Sequence, residues 1–172
     1  MKPIKYHPVA RLFHWVMALL IIAALGIALS IDDMPLSPDK IKLISWHKAL
    51  GITVLCLLAF RLITKLLVDA PAPVKQSPIQ MKLTSFVHIV FYILMFAVPL
   101  NGWLYSNSSG YGVSYFGLFE LPMLIEANEA LSHQLKEIHE TIGILLLVLV
   151  VLHILAVIYH SFKKDGTLKR MV

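Results

Sequence analysis

The sequence predicts an all-α fold, an integral membrane bundle of four helices with both termini in the cytoplasm. Three observations point there. Of the 172 residues, 58% are hydrophobic and only 15% charged, whereas soluble domains sit near half apolar and a quarter charged. Four stretches are apolar over about the 20 residues that a bilayer crossing needs. The basic residues also gather on one side of those stretches. Length and composition fit one domain covering 1–172.

The first stretch, 9–30, follows Lys2, Lys5 and Arg11, a charged start that imitates a signal peptide. Its apolar core is too long for one and shows no convincing small-residue cleavage pattern, so it is expected to stay as a helix. The second, 44–67, holds the single cysteine, Cys56. One cysteine excludes a disulfide framework and a thiolate metal cluster, and Cys56 is expected to be a small buried hydrophobe. The third and fourth stretches cover 83–105 and 135–162. The connector "DAPAPVKQSP" (69–78) is short and proline-rich, while "IDDMPLSPDKIK" (31–42) and the segment 106–134 are longer and acidic.

Four crossings return both termini to the same side. With residues at the span ends included, that side carries 11 lysines and arginines, at 2, 5, 11, 61, 65, 75, 82, 163, 164, 169 and 170. The opposite side carries four, at 40, 42, 48 and 136. Positive charge is retained on the cytoplasmic side, which places both termini there. The isoelectric point near 9.4 then reports topology, and a nucleic-acid partner has no support.

The fourth stretch, "HETIGILLLVLVVLHILAVIYHSF" (139–162), raises the functional question, because polar side chains in hydrocarbon are costly and are usually kept for function. His139 opens this span and His47 opens the second, both at the outer end. His153 comes 14 residues after His139, roughly 21 Å deeper at a helical rise of 1.5 Å. That spacing returns a helix to within about 40° of its starting direction, so both rings share a face. His14 and His88 reach the inner level too, His7 and His160 lie at the cytoplasmic boundary, and His133 lies outside.

Two imidazoles facing each other across a helical bundle can ligate a haem iron from both sides. At the outer level only His47 and His139 are available. At the inner level His14, His88 and His153 compete, and spacing does not choose among them. Gly51 and Gly143 each follow an outer histidine by four residues. A missing side chain there would admit a flat porphyrin edge, although small residues also serve ordinary helix packing. No Cys-x-x-Cys-His motif occurs, so two such haems would be b-type and non-covalent. A histidine-lined metal transporter is the competing class. It is disfavoured because the spans are nearly free of carboxylates and no pair of broken helices marks a substrate site.

The segments "RLFHW" (11–15), "HKALG" (47–51), "FRLITK" (60–65), "HIVFYILMFAVPLNG" (88–102), "IHETIG" (138–143) and "KDGTLKRM" (164–171), in this order and spacing, resemble the bacterial cytochrome b561 family of di-haem membrane cytochromes. The resemblance extends over essentially the whole chain. It implies a bacterial inner membrane location, an inner haem on His14 and His153, and an outer haem on His47 and His139. His88 becomes a non-ligand. Arg11 and Arg61 are implied partners of haem propionates, with snorkelling to headgroups as the alternative. Pro99 and Gly102 are expected to kink or end the third helix near its outer side.

The implied role is to carry electrons between a periplasmic donor and the quinone pool, ubiquinone or menaquinone. His160 would sit where quinone meets the inner haem edge and would handle its protons, unless it only anchors the helix end. Two other roles are implied within the family: an autonomous superoxide:ubiquinone oxidoreductase, or a cytochrome subunit of a dehydrogenase or hydrogenase complex. By the expected topology the outer side holds eight acids, Asp32, Asp33, Asp39, Glu120, Glu126, Glu129, Glu137 and Glu140, against four lysines. That field suits a basic protein donor better than an incoming superoxide anion, for which Lys48 and Lys136 offer only a local attraction.

Overall fold

A computed structural model describes residues 5–68, 71 and 77–172. Four long helices dominate it: α1 (Pro8–Asp32), α2 (Pro38–Leu67), α3 (Pro78–Ser108) and α4 (Glu129–Lys163). Each is long and apolar enough to cross a membrane. The protein is therefore a multi-pass membrane protein built on four apolar helices.

The helices begin ahead of the apolar stretches because their starts are written in polar residues. Pro8, Pro38 and Pro78 occupy first-turn positions, where the missing N–H costs nothing and the ring presets φ. The Ser37 hydroxyl accepts the Lys40 N–H at 3.2 Å, and the Asn128 side chain accepts that of Leu131 at 3.0 Å. Ser77 and Gln80 cap each other reciprocally. At the far end of α3, of the expected kink or end, the end does not occur at Pro99 or Gly102, since the helix continues to Ser108. Proline is tolerated inside apolar helices, where neighbouring groups satisfy the freed backbone.

Packing is sequential: α1 lies on α2, α2 on α3 and α3 on α4. Helix α4 makes no comparable backbone approach to α1 or α2. The buried centre is Met17 and Ile21 from α1, Val54 and Leu58 from α2, Leu94 and Met95 from α3, and Leu146 from α4. Leu146 stands seven residues from His139 and seven from His153, so the apolar centre fills the level between those two histidines. Cys56 corrects the sequence-based expectation, because it is exposed on α2. Around a membrane bundle the outside is hydrocarbon, and an apolar residue gains as much there as in the core.

The segment after α3 folds into a small antiparallel hairpin, β1 (Ser114–Tyr115) and β2 (Phe119–Glu120). Its turn places Phe116 at φ 51° and Gly117 at φ 76°. The Tyr115 hydroxyl lies 3.2 Å from Thr53 Oγ1, tying the hairpin to α2. Asn107 is fully buried. Its Nδ2 donates to the Tyr111 carbonyl at 3.2 Å, and its Oδ1 accepts the Leu124 N–H at 2.9 Å.

The C-terminal end turns back on the N-terminal one. Lys164 and Gly166 adopt φ of 52° and 84°, and a 3₁₀ turn follows at Leu168–Arg170. The Tyr6 N–H donates to the Arg170 carbonyl at 3.1 Å, Trp15 Nε1 to that of Met171 at 2.8 Å, and Lys5 Nζ to that of Val172 at 2.9 Å.

Asn107→Ala should release the outer connector, because two backbone groups lose buried partners at a cost of about 1–3 kcal/mol each. The expected readout is a lower melting temperature and faster proteolysis within 109–127; unchanged protease resistance would contradict it.

Candidate functional site

The structure brings the four expected ligands into two pairs. The ring centroids of His47 on α2 and His139 on α4 are 6.0 Å apart. Those of His14 on α1 and His153 on α4 are 6.4 Å apart. Two imidazoles, each with a nitrogen about 2 Å from one metal ion, would have centroids roughly 6 Å apart. His88, the other inner candidate, is exposed and donates from Nδ1 to the Thr84 carbonyl of its own helix at 2.6 Å. Phe91 instead packs edge-on against His153 at 5.4 Å between centroids.

Backbone carbonyls aim the outer pair. His47 Nδ1 lies 2.9 Å from the Ala24 carbonyl, and His139 Nδ1 lies 3.1 Å from that of Val98. A carbonyl can only accept, so each Nδ1 carries the proton and each Nε2 keeps a free lone pair. This is the usual outer support of a ligating histidine. A third contact escaped sequence reasoning. A Cβ placed on Gly102 would fall 2.8 Å from His139 Cε1, so only glycine leaves room for that ring. The residue stood out in the sequence as a helix breaker, and its service to a ring on another helix has no sequence signal.

The two candidate cradle glycines differ. A Cβ on Gly143 would meet nothing within 4 Å, which leaves open space beside α4. A Cβ on Gly51 would rest 3.6 Å from Pro99 on α3, so Gly51 borders helix packing. Among the described residues, the buried Nε of Arg11 and Nη1 of Arg61 have no hydrogen-bond partner. Arg61 lies within electrostatic range of both His14 and His153, and Arg11 precedes His14 by three residues on one helical face. Asn101 Oδ1 and Trp103 Nε1, near the outer end of α3, are also buried without partners.

His160 and Lys48 are engaged locally. His160 Nδ1 meets Asp165 Oδ2 at 2.5 Å. Lys48 Nζ donates to Ser106 Oγ at 2.7 Å and to the Gly112 carbonyl at 3.4 Å. Lys136 pairs with Glu140 at 3.6 Å. Among the described residues no three His, Cys, Asp or Glu side chains gather as a bare metal ion would require.

Imidazoles paired from α4 to α1 and to α2, with unpartnered guanidinium nitrogens beside the inner pair, fit a b-type haem. The donor set agrees with that group, and the class so defined is a membrane haem protein of b type. A profile of the family described as prokaryotic cytochrome b561 matches residues 5–172. The chain belongs to that family and is a membrane electron-transfer protein. It is 27% identical over 173 residues to "Cytochrome b561 homolog 2" of Escherichia coli (strain K12), covering 99% of this chain and 92% of that one. It is 35% identical over 128 residues to "Cytochrome b561 homolog 1" of the same organism, covering 73% and 72%. To "Probable superoxide oxidase CybB" of Yersinia pestis it is 32% identical over 174 residues, covering 98% and 96%.

Gly102→Ala should push the His139 ring off its line and lower haem content by up to one equivalent per chain, with the loss confined to one spectral component. Full haem content with an unshifted midpoint potential would show that the contact relaxes without consequence.

Proposed function

We propose that the chain binds two non-covalent b-type haems, the outer on His47 and His139 and the inner on His14 and His153. It carries electrons across a bacterial inner membrane, between a periplasmic donor and ubiquinone or menaquinone at the cytoplasmic side. The observation that carries this is the presence of two histidine pairs with centroids 6.0 and 6.4 Å apart, at levels separated by 14 residues of α4. When bound, each haem supplies a one-electron couple at its own level.

The chain's own residues orient, neutralise and move protons. The Ala24 and Val98 carbonyls hold His47 and His139 in the Nδ1–H tautomer, which leaves Nε2 for iron. Arg11 and Arg61 would neutralise inner propionates, giving their buried nitrogens the partners they lack. His160 lies seven residues beyond His153, on nearly the same face and roughly 10 Å nearer the cytoplasm. A quinone that accepts two electrons there must take up two protons, and an imidazole at a wet boundary can relay them. Both termini face the cytoplasm in this arrangement.

A second reading, a superoxide:quinone oxidoreductase, draws support from the name of the Yersinia pestis relative. The outer lysines argue for the protein donor instead. Lys48 is held by Ser106 and Gly112, and Lys136 is paired with Glu140. Glu140 offsets the Lys136 charge, and the eight acids of the outer side outweigh the charge that Lys48 keeps.

The ligand set is tested by haem content per chain in a pyridine haemochrome assay. His47→Ala and His14→Ala should each lower it from two to one, with loss of different spectral components, and His88→Ala should keep both. Loss of a haem in His88→Ala but not in His14→Ala would overturn the inner pair. The quinone site is tested by reoxidation of the reduced protein with a short-chain quinone. His160→Ala should keep both haems and normal reduction from the outer side, yet slow reoxidation at least tenfold. Wild-type reoxidation kinetics in that variant would remove His160 from the site.

A further inference from the structure

The C-terminal turn carries a feature that the electron-transfer reading does not use. Lys164 ends α4 in the left-handed region, and Gly166 adopts φ 84° two residues later. This reversal brings the side chain of Asp165 back beneath His160, so that Oδ2 meets Nδ1 at 2.5 Å. The other carboxylate oxygen accepts the Thr167 N–H at 3.0 Å, closing the turn on itself. The segment that follows is fixed to the start of the chain through Tyr6, Trp15 and Lys5. Trp15 in turn adjoins His14, with ring centroids 5.5 Å apart. Asp165 is thus held between α4 and a strap anchored beside the inner histidine pair. The neighbouring cation Lys163 sits over the Tyr159 ring, 4.9 Å from its centroid.

We propose that Asp165 is the positioning residue for quinone protonation, holding His160 in the one tautomer and orientation that turns Nε2 toward the substrate. This rests on the reading of His160 as the residue that meets quinone. The hydrogen bond from His160 first, and then those from Thr167, hold the Asp165 carboxyl down at about 2. It stays a carboxylate at any working pH and can only accept. Nδ1 of His160 therefore keeps its proton, and exchange with the substrate is left to Nε2.

A para-quinone becomes a quinol by taking up two electrons, which a haem held by His14 and His153 would supply, and two protons. Each electron is matched by one proton passing from Nε2–H of the His160 imidazolium to a quinone oxygen, which gives the quinol. After each transfer the ring is neutral with its proton on Nδ1, and water at the cytoplasmic face recharges Nε2. Asp165 gives up nothing in the cycle. Its charge stabilises the imidazolium, and its position, set by the strap, keeps the ring from turning.

The test compares Asp165→Asn, Asp165→Glu and His160→Ala in the haem-loaded protein, with a short-chain ubiquinone as oxidant. Asp165→Asn should keep both haems and normal reduction from the outer side. Its kcat for reoxidation should fall about 10- to 100-fold, with KM changed far less, and Asp165→Glu should recover part of the loss. A spectroscopic signature accompanies the rate. In ¹⁵N-histidine-labelled protein with the haems reduced, at a pH high enough for the ring to be neutral, His160 should be in the Nδ1–H form in the wild type and a mixture of tautomers in Asp165→Asn. Wild-type kcat in Asp165→Asn alongside slow reoxidation in His160→Ala would overturn the role of Asp165 and leave the quinone site standing. Wild-type rates in both would overturn the site itself. Loss of haem in Asp165→Asn, or an unchanged tautomer, would reduce the contact to a fold anchor and overturn the proposal.

Discussion

One spacing on one helix organises the structure. His139, Leu146 and His153 follow each other at intervals of seven on α4, and a seven-residue step brings a helix back to nearly the same face. Among the described residues α4 packs most closely on α3, and the stripe borders that helix at Val98, Gly102 and Phe91. His14 of α1 and His47 of α2 come to meet it from the other helices. Between the two levels, Leu146 joins Met17, Ile21, Val54, Leu58, Leu94 and Met95 in the buried centre of the bundle. The apolar packing is thus concentrated between the two histidine levels.

Helix α3 contributes no member of either histidine pair but helps to position them. Its Val98 carbonyl orients His139, its Gly102 makes room for the same ring, and its Pro99 lies against Gly51 of α2. At its outer end, Ser106 holds Lys48, and Asn107 stitches the following connector down. At the opposite face the chain termini do similar work, tied together beside Trp15. Both ends of the bundle are closed by hydrogen-bonded caps, which suits a protein whose sides are open to lipid.

Much of this was legible in the sequence, because membrane helices declare themselves by length and apolarity, and histidine is rare in hydrocarbon. Helical rise alone placed the histidines at two depths and found the outer pair. It could not choose between His14 and His88, because depth says nothing about which way a helix is turned. The side-chain partners were hidden for another reason. Carbonyls such as those of Ala24 and Val98 leave no mark in a sequence, and Gly102 reads as a breaker until a ring from another helix lies against it. Cys56 was misjudged because burial was assumed to follow apolarity, a rule for proteins surrounded by water. Helix starts at Ser37, Ser77 and Asn128 were available as capping signals, which hydropathy alone does not register.

The separation of the two histidine levels also has an energetic meaning at the scale of the cell. An electron passing from the outer to the inner level in the proposed orientation moves roughly 21 Å along the membrane normal. It moves toward an interior held negative, against work of roughly 2.3 kcal/mol per 100 mV for a charge that crosses the whole membrane. Protons taken up at the cytoplasmic boundary cross almost none of the field and do not cancel that displacement. With the proposed orientation, the fourteen residues between His139 and His153 would make turnover charge the membrane and slow as the membrane becomes charged.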